Sequence, residues 1–263
     1  MKKQNKNAFT LAEVVIACAI IGTLATLTIG TYMSGSPAQN NQYVAGAKKA
    51  YGEIVYATER IKASNGGTME AFWPASSATA ADDFRNAYLP YLKVTKMCDK
   101  GAASKTDCWS ANYTNINGDV TTGMPGIDIL EPACFDMSEG CSSIAILNDG
   151  MLFAFHTRMM GASCMENYVF EYNPSWGAYA AASCGWIFVD VNGFKRPNQF
   201  GRDIFRFYVS KHYVVPDGDP KMIDPSGMGP SAAPDCPAVD GAAPYRAGLN
   251  CTAKVLNDGK MLY

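Results

Sequence analysis

The chain has 263 residues, 22 basic and 24 acidic side chains, a formal net charge of −2 and 48% apolar residues. That length suffices for one large domain or two small ones. The near-balanced charge, with no basic cluster interleaved with aromatics, excludes a nucleic-acid footprint, so no nucleic acid is expected among its partners.

The first element is a short basic leader, residues 1–8, carrying Lys2, Lys3 and Lys6 and no acid. A long apolar run follows, with Glu13 near its start. From Val14 to Tyr32 no charge occurs in 19 residues, which at helical rise is about 28 Å, close to the hydrocarbon thickness of a bilayer. This predicts a membrane span over about 14–32, with the leader kept on the cytoplasmic side and the remainder translocated. An ordinary secretory signal has a shorter apolar region ending in a small-x-small site. A lipoprotein-type box at Val15-Ile16-Ala17-Cys18 would leave Ala19 to Gly30 as an apolar stub. Glu13 is costly inside such a run, which predicts that it is paired or functional.

Residues 34–40, Ser-Gly-Ser-Pro-Ala-Gln-Asn, predict a kink or restart. Apolar or small residues then recur at Tyr43, Ala47, Ala50, Tyr51, Ile54, Val55, Thr58 and Ile61 with charges mostly on other faces. This is amphipathic helix spacing, and it stops at Asn65-Gly66-Gly67. Residues 66–263 are read as a globular head, with a short helix between Ala80 and Leu92 ending around Pro90.

Strand patterns begin at Ser142. Ile144–Leu147 and Met151–Phe155 flank Asn148-Asp149-Gly150, a hairpin signal. Further strands are expected over Asn167–Tyr172, Trp186–Asp190 and Ile204–Val209, with Asn192-Gly193 as a second hairpin turn. The closing segment Ala253–Tyr263 repeats Leu-Asn-Asp-Gly and is read as another hairpin. Seven of the fourteen prolines fall between Pro216 and Pro244, making residues 216–248 a long irregular loop.

Nine cysteines are present. Cys18 lies in the apolar run, where a thiol behaves as a small hydrophobe. Cys98, Cys108, Cys134, Cys141, Cys164, Cys184, Cys236 and Cys251 form an even set, which implies oxidation outside the cytoplasm. Sequential pairs close short loops, so 98 with 108, 134 with 141, 164 with 184 and 236 with 251 are expected. No Cys-x-x-Cys occurs, and His156 and His212 lack ligand spacing for zinc. No nucleophile elbow, P-loop or metal-protease helix is found, so no catalytic residues are assigned and the chain is not read as an enzyme.

Ala8-Phe9-Thr10-Leu11-Ala12-Glu13-Val14 resembles the class III signal of type IV prepilins and type II secretion pseudopilins. Leader charge, a small residue before the cut, Phe, an acid four residues on and an apolar run fall in that family's order. The resemblance is strongest over residues 1–65. Ala8 stands where that family most often has Gly, and Gly30 where many type IV pilins have Pro. It implies cleavage between Ala8 and Phe9 by a prepilin peptidase, methylation of the new amine, and pairing of Glu13 with the Phe9 amine of a neighbouring subunit. Removing the leader's three lysines leaves 19 basic and 24 acidic side chains, a net of −5.

Asp190-Val-Asn-Gly-Phe-Lys-Arg-Pro-Asn-Gln-Phe-Gly-Arg-Asp-Ile-Phe-Arg-Phe207 is the second stretch resembling pilin-like and pseudopilin-like heads. Oxygens at Asp190, Asn192, Asn198 and Asp203 are those expected to gather round Ca²⁺, as in the head loops of core pseudopilins. The spacing is not that of an EF-hand, and Asn and Asp also form plain turns.

The expected fold is therefore α+β. A long N-terminal helix over 9–65, transmembrane in its first half and amphipathic in its second, packs on an antiparallel sheet head with disulfide-bonded loops. The expected function is a structural subunit of a type IV pilus-like filament, as a pseudopilin or minor pilin of a type II secretion-like system. Alternatives are a major pilin for adhesion, motility or DNA uptake, and a signal-anchored periplasmic protein that does not polymerise. Expected partners are the prepilin peptidase, like or related pilin subunits, and the inner membrane before assembly. The head is expected in the periplasm and later in a periplasmic or surface filament.

Overall fold

The computed structural model describes residues 11–32, 36–69, 80–99, 107–110, 112–120, 142–157, 171–173, 178–180, 184–219, 236 and 247–263. The chain divides into two compact units, Met1–Asn40 and Asn41–Tyr263.

In the first unit, α1 runs over Leu11–Tyr32 with Glu13 in its opening turn. Its described side chains are exposed, among them Leu11, Val15, Ile16 and Ile21 at 58–82%. A second helix, α2, begins at Pro37 and ends at Ser64. The expected long helix over 9–65 is corrected: two helices form, and the second starts within the 34–40 stretch where a kink or restart is predicted. Pro37 has no amide hydrogen to extend a preceding helix but suits a first turn, and the Ser36 hydroxyl accepts from Gln39 N at 3.2 Å, closing the new end. The expected transmembrane half is corrected as well. Among the described residues no helix is long and apolar enough to cross a membrane. The inner-membrane placement of the chain rested on that span and falls with it.

The second unit is built on a six-stranded antiparallel sheet in the order β1-β2-β3-β6-β7-β8. Its strands are β1 (Val94–Cys98), β2 (Ser142–Leu147), β3 (Leu152–Thr157), β6 (Gly185–Asp190), β7 (Ile204–Val209) and β8 (Val214–Pro216), while β4 (Glu171–Asn173) and β5 (Ala178–Ala180) make a separate ribbon. The two-residue period of a strand sends alternate side chains to opposite faces. Phe153, Phe155, Ile187, Val189, Phe205 and Phe207 turn to one face, where Val44, Ala47, Ala50, Ile54, Ala57 and Ile61 of α2 cover them. The small alanines at helical spacing let α2 sit close. The helix α3 (Ala80–Tyr88) joins this layer, with Phe84, Tyr88 and Phe155 in mutual edge contact at 5.3–5.5 Å. Leu152, Ala154, Trp186, Phe188, Ile204 and Tyr208 turn to the other face, beneath Trp109, Tyr113, Phe200 and Leu249. Both faces of the sheet are thus buried along β2, β3, β6, β7 and β8, while β1 at one edge is largely exposed.

The hairpin between β2 and β3 forms as its Asn-Asp-Gly turn predicts: Gly150 takes φ 91° and its amide donates to Leu147 O at 3.0 Å. Lys49 of α2 pairs with Asp149 of that turn. The same letters near the chain's end do something else, and the expected closing hairpin is corrected. Cys251–Asp258 is a helix, α4, and Gly259 ends it in the left-handed region at φ 65°, donating to Val255 O at 3.0 Å. A glycine that accepts positive φ serves a hairpin and a helix end equally, and nothing in Asn-Asp-Gly distinguishes them. Asn192-Gly193 is likewise not a tight hairpin turn. β6 and β7 pair in register from Asp190 opposite Ile204, leaving residues 191–203 as one long connection.

Disulfides join Cys98 to Cys108 and Cys236 to Cys251, and Cys184 is also disulfide-bonded. Ala8, Phe9, Cys134, Cys141, Cys164, residues 167–170 and nearly all of the proline-rich loop lie outside the described residues.

Candidate functional site

The β6–β7 connection holds the densest set of buried polar groups, and strand pairing alone explains why. Asp190 closes β6 and Asp203 immediately precedes β7, so the antiparallel register brings the two ends of the loop together, with Val191 N donating to Asp203 O at 2.9 Å. Asp190 and Asp203 are both fully buried, and Asn198 is 7% exposed. Asn192 is half-buried. The four residues singled out by the sequence motif therefore belong to one loop with its acids at the base.

Backbone donors shape this loop round its carboxylates. Asp190 Oδ1 accepts from Asn192 N at 3.1 Å. Asp203 Oδ2 accepts from Asn198 N at 2.8 Å, and its Oδ1 from Gln199 N at 2.6 Å. Asn198 adopts a left-handed φ of 53°, which asparagine tolerates better than most residues. The loop is also stitched to a neighbouring segment: Gln199 Nε2 donates to Asn115 O and Ile116 O at 3.0 and 3.1 Å, and Thr114 N to Asn198 O at 3.0 Å.

Two like-charged carboxylates share this enclosed space. Burial first, and the Asp203 charge second, push the Asp190 carboxyl well above the ordinary carboxylate range, while the amides of Asn192 and Gly193 pull the other way. Burial raises Asp203 to about 6 against the opposing pull of the Gln199 and Asn198 backbone amides and of a hydrogen bond from the Asn192 side chain. Among the described residues neither carboxylate forms an ion pair with a basic side chain.

The amide side chains face this charge in an informative way. The inward atom of Asn198 lies 3.1 Å from Lys195 O, 3.1 Å from Ser110 Oγ and 3.2 Å from Asp190 Oδ2. Turned with its nitrogen inward, the amide donates to all three; turned with its oxygen inward, it would set an acceptor against the Lys195 and Asp190 oxygens, so the nitrogen-inward sense is the one that fits. Asn192 Oδ1 is buried with no hydrogen-bond partner, while its Nδ2 donates to Tyr43 OH and Arg196 O, each at 3.2 Å. The side chains of Asn198 and Asn192 thus meet the Asp190 and Asp203 carboxylates as hydrogen-bond donors, which satisfies the acids within the loop and does not suit the Ca²⁺ expected there. Among the described residues no group of three or more His, Cys, Asp or Glu assembles, so the set does not suit zinc.

The linear motif missed Ser110, the Lys195 carbonyl and Tyr43. Ser110 reaches the loop from a segment tethered by the Cys98–Cys108 bond, and no spacing in the sequence links it to Asn198. Elsewhere, His156 Nδ1 and Ser142 Oγ lie 2.8 Å apart across paired strands, with His156 stacked on Trp186 at 4.4 Å between ring centres. Both are about 1% exposed, a buried polar pair inside the sheet. Compared with known proteins, the chain matches no family model, no curated protein and no solved structure.

Proposed function

We infer that this chain is a structural subunit of a type IV pilus-like filament, most closely a pseudopilin or minor pilin of a type II secretion-like system. The observation that carries the reading is the ordered run Lys2, Lys3, Lys6, Ala8, Phe9, Glu13 ahead of a helix that displays its apolar side chains. Val14, Val15, Ile16, Ile20 and Ile21 are each 47–66% exposed. An isolated helix of this kind gains by association, at roughly 25 cal/mol per Å² of apolar surface removed from water. In the proposed assembly, cleavage before Phe9 creates a new amine, which is then methylated. Copies of α1, or α1 with related helices, bundle. The carboxylate of Glu13 meets the Phe9 amine of a neighbour and fixes the axial register, because an unpaired charge inside a helix bundle costs several kcal/mol.

The test of the main reading is the mature amino terminus. Mass spectrometry is expected to find N-methyl-Phe9, and a chain that still begins at Met1 in cells competent for filament assembly overturns it. For Glu13→Ala, cleavage persists while incorporation into filaments falls. Normal filaments from that variant remove the pairing step.

A further inference from the structure

We propose that one end of the head unit, where the β6–β7 loop, the β2–β3 turn and the segment after α4 meet, is a docking surface for an anionic lipid bilayer. Docking there does not depend on filament assembly.

Close contacts bring these segments to one place. Gly193 of the loop sits so near the turn that a side-chain carbon built on it would lie 2.5 Å from Gly150 O, and Gly259, which ends α4, stands against Lys48 Nζ at 3.1 Å in the same sense. Tyr263 OH donates to Gly201 O, and the charge of Arg202 acts on that phenol. The cations Lys48, Lys195, Arg196, Arg202 and Lys260 therefore gather at this end. Among the described residues none of them is in an ion pair. The acids of the same end are occupied or enclosed. Asp149 pairs with Lys49, Glu53 faces Lys49 at 3.8 Å, and Asp258 pairs with Lys254 at 3.2 Å. Asp190 and Asp203 are buried and bonded within the loop. A chain of net charge −2 thus turns a positive end outward. Phe194 and Leu262 stand among these cations 51% and 66% exposed. Lysine is depleted from the cores of protein interfaces, whereas Lys and Arg set around Phe and Leu suit a headgroup layer, with the cations at the phosphates and the apolar tips below them. The loop meets that layer preformed, because Asp203 holds the Asn198 and Gln199 amides from beneath, so little order remains to be imposed on docking.

The experiment uses the full oxidised chain with vesicles of phosphatidylglycerol or of phosphatidylcholine, and reads hydrogen exchange over residues 193–196 and 259–263. Phosphatidylglycerol vesicles are expected to slow exchange in both segments, less so as salt rises, and phosphatidylcholine vesicles to leave it unchanged. The double variant Lys195→Ser, Arg196→Ser removes two side chains that bond to nothing else, since the loop uses the backbone carbonyls of both residues. It is expected to lower the docked-to-free ratio read from exchange about thirtyfold, roughly fivefold for each cation. The leader lysines and α1 are untouched in this variant, so any binding they supply persists in it. Exchange that phosphatidylglycerol vesicles leave unchanged, or that both kinds of vesicle slow equally, overturns the proposal, as does a double variant that docks like the parent. If poly-glutamate slows both segments and phosphatidylglycerol vesicles do not, the surface takes an acidic protein segment and the lipid assignment falls. The parent chain alone decides between these outcomes even where the variant does not fold.

Discussion

Replacing Asp217 by alanine is expected to destabilise the head by about 4 kcal/mol. Asp217 and Arg206 are 1% and 5% exposed. Arg206 Nε and Nη2 both donate to Asp217 Oδ2, at 2.7 and 2.6 Å. The guanidinium also lies over the rings of Tyr208 and Phe188, 4.9 and 5.7 Å from their centres. Burial pulls the guanidinium toward neutrality, but the charge and hydrogen bonds of Asp217 more than reverse it. Removing the carboxylate takes away two charge-assisted hydrogen bonds, worth about 1.5–3 kcal/mol each, and leaves a cation stranded; breaking such pairs typically costs about 3–5 kcal/mol. Backbone bonds from Asp217 N to Arg206 O at 3.0 Å and from Ala253 N to Asp217 O at 2.9 Å survive the change and hold the loss to that range. Urea unfolding followed by tryptophan fluorescence, with disulfides intact, measures it. The double variant Arg206→Met, Asp217→Leu carries no stranded charge and is expected within about 1 kcal/mol of the parent. A loss below about 1 kcal/mol for Asp217→Ala, or a double variant as unstable as the single, refutes the reasoning.

Two further outcomes are expected. Because Asp203 is raised to about 6 from an ordinary 3.8, the folded state binds more protons than the unfolded between those values. Its contribution to stability is therefore full below about pH 4 and is lost as pH rises through about 6, by roughly 3 kcal/mol. A carbon NMR titration should place the Asp203 carboxyl midpoint near 6, and a midpoint below 4 contradicts the burial argument. Tyr88 OH and Thr58 Oγ1 lie 2.7 Å apart, both fully buried, and Thr58 also donates to Ile54 O at 2.7 Å. Tyr88→Phe should cost about 1 kcal/mol, since Thr58 keeps its second partner, whereas Thr58→Val should cost more because it strands the phenol; equal losses from both would show that the hydroxyls act independently.

Much of the head was legible because periodicity reports burial. The alternation in β3, β6 and β7 predicts strands, and the spacing of Ala47, Ala50, Ile54 and Ile61 predicts the buried face of α2. Punctuation was less reliable. Asn-Asp-Gly and Asn-Gly announce positive φ but not what surrounds it, so one copy turns a hairpin, one ends α4 and a third sits inside a thirteen-residue connection. The break between α1 and α2 was legible in the Ser-Gly-Ser-Pro stretch of residues 34–40, which predicts a kink or restart where α2 begins. In the candidate site, the motif supplied the carboxylates and amides because they lie within fourteen residues of one another. It did not supply Ser110 or Tyr43, which arrive from 88 and 149 residues away by folding.

The sheet's sealed faces leave recognition to other parts of the head. Among the described residues a helix layer covers the central strands on one side and a loop layer on the other. The margins discourage pairing too: β1 presents the charge of Lys96 at one rim, and β8 finishes at Pro216, which has no amide hydrogen to donate, at the other. Selectivity for a neighbour must then be written into the connecting segments, which can change their letters without disturbing the framework beneath them.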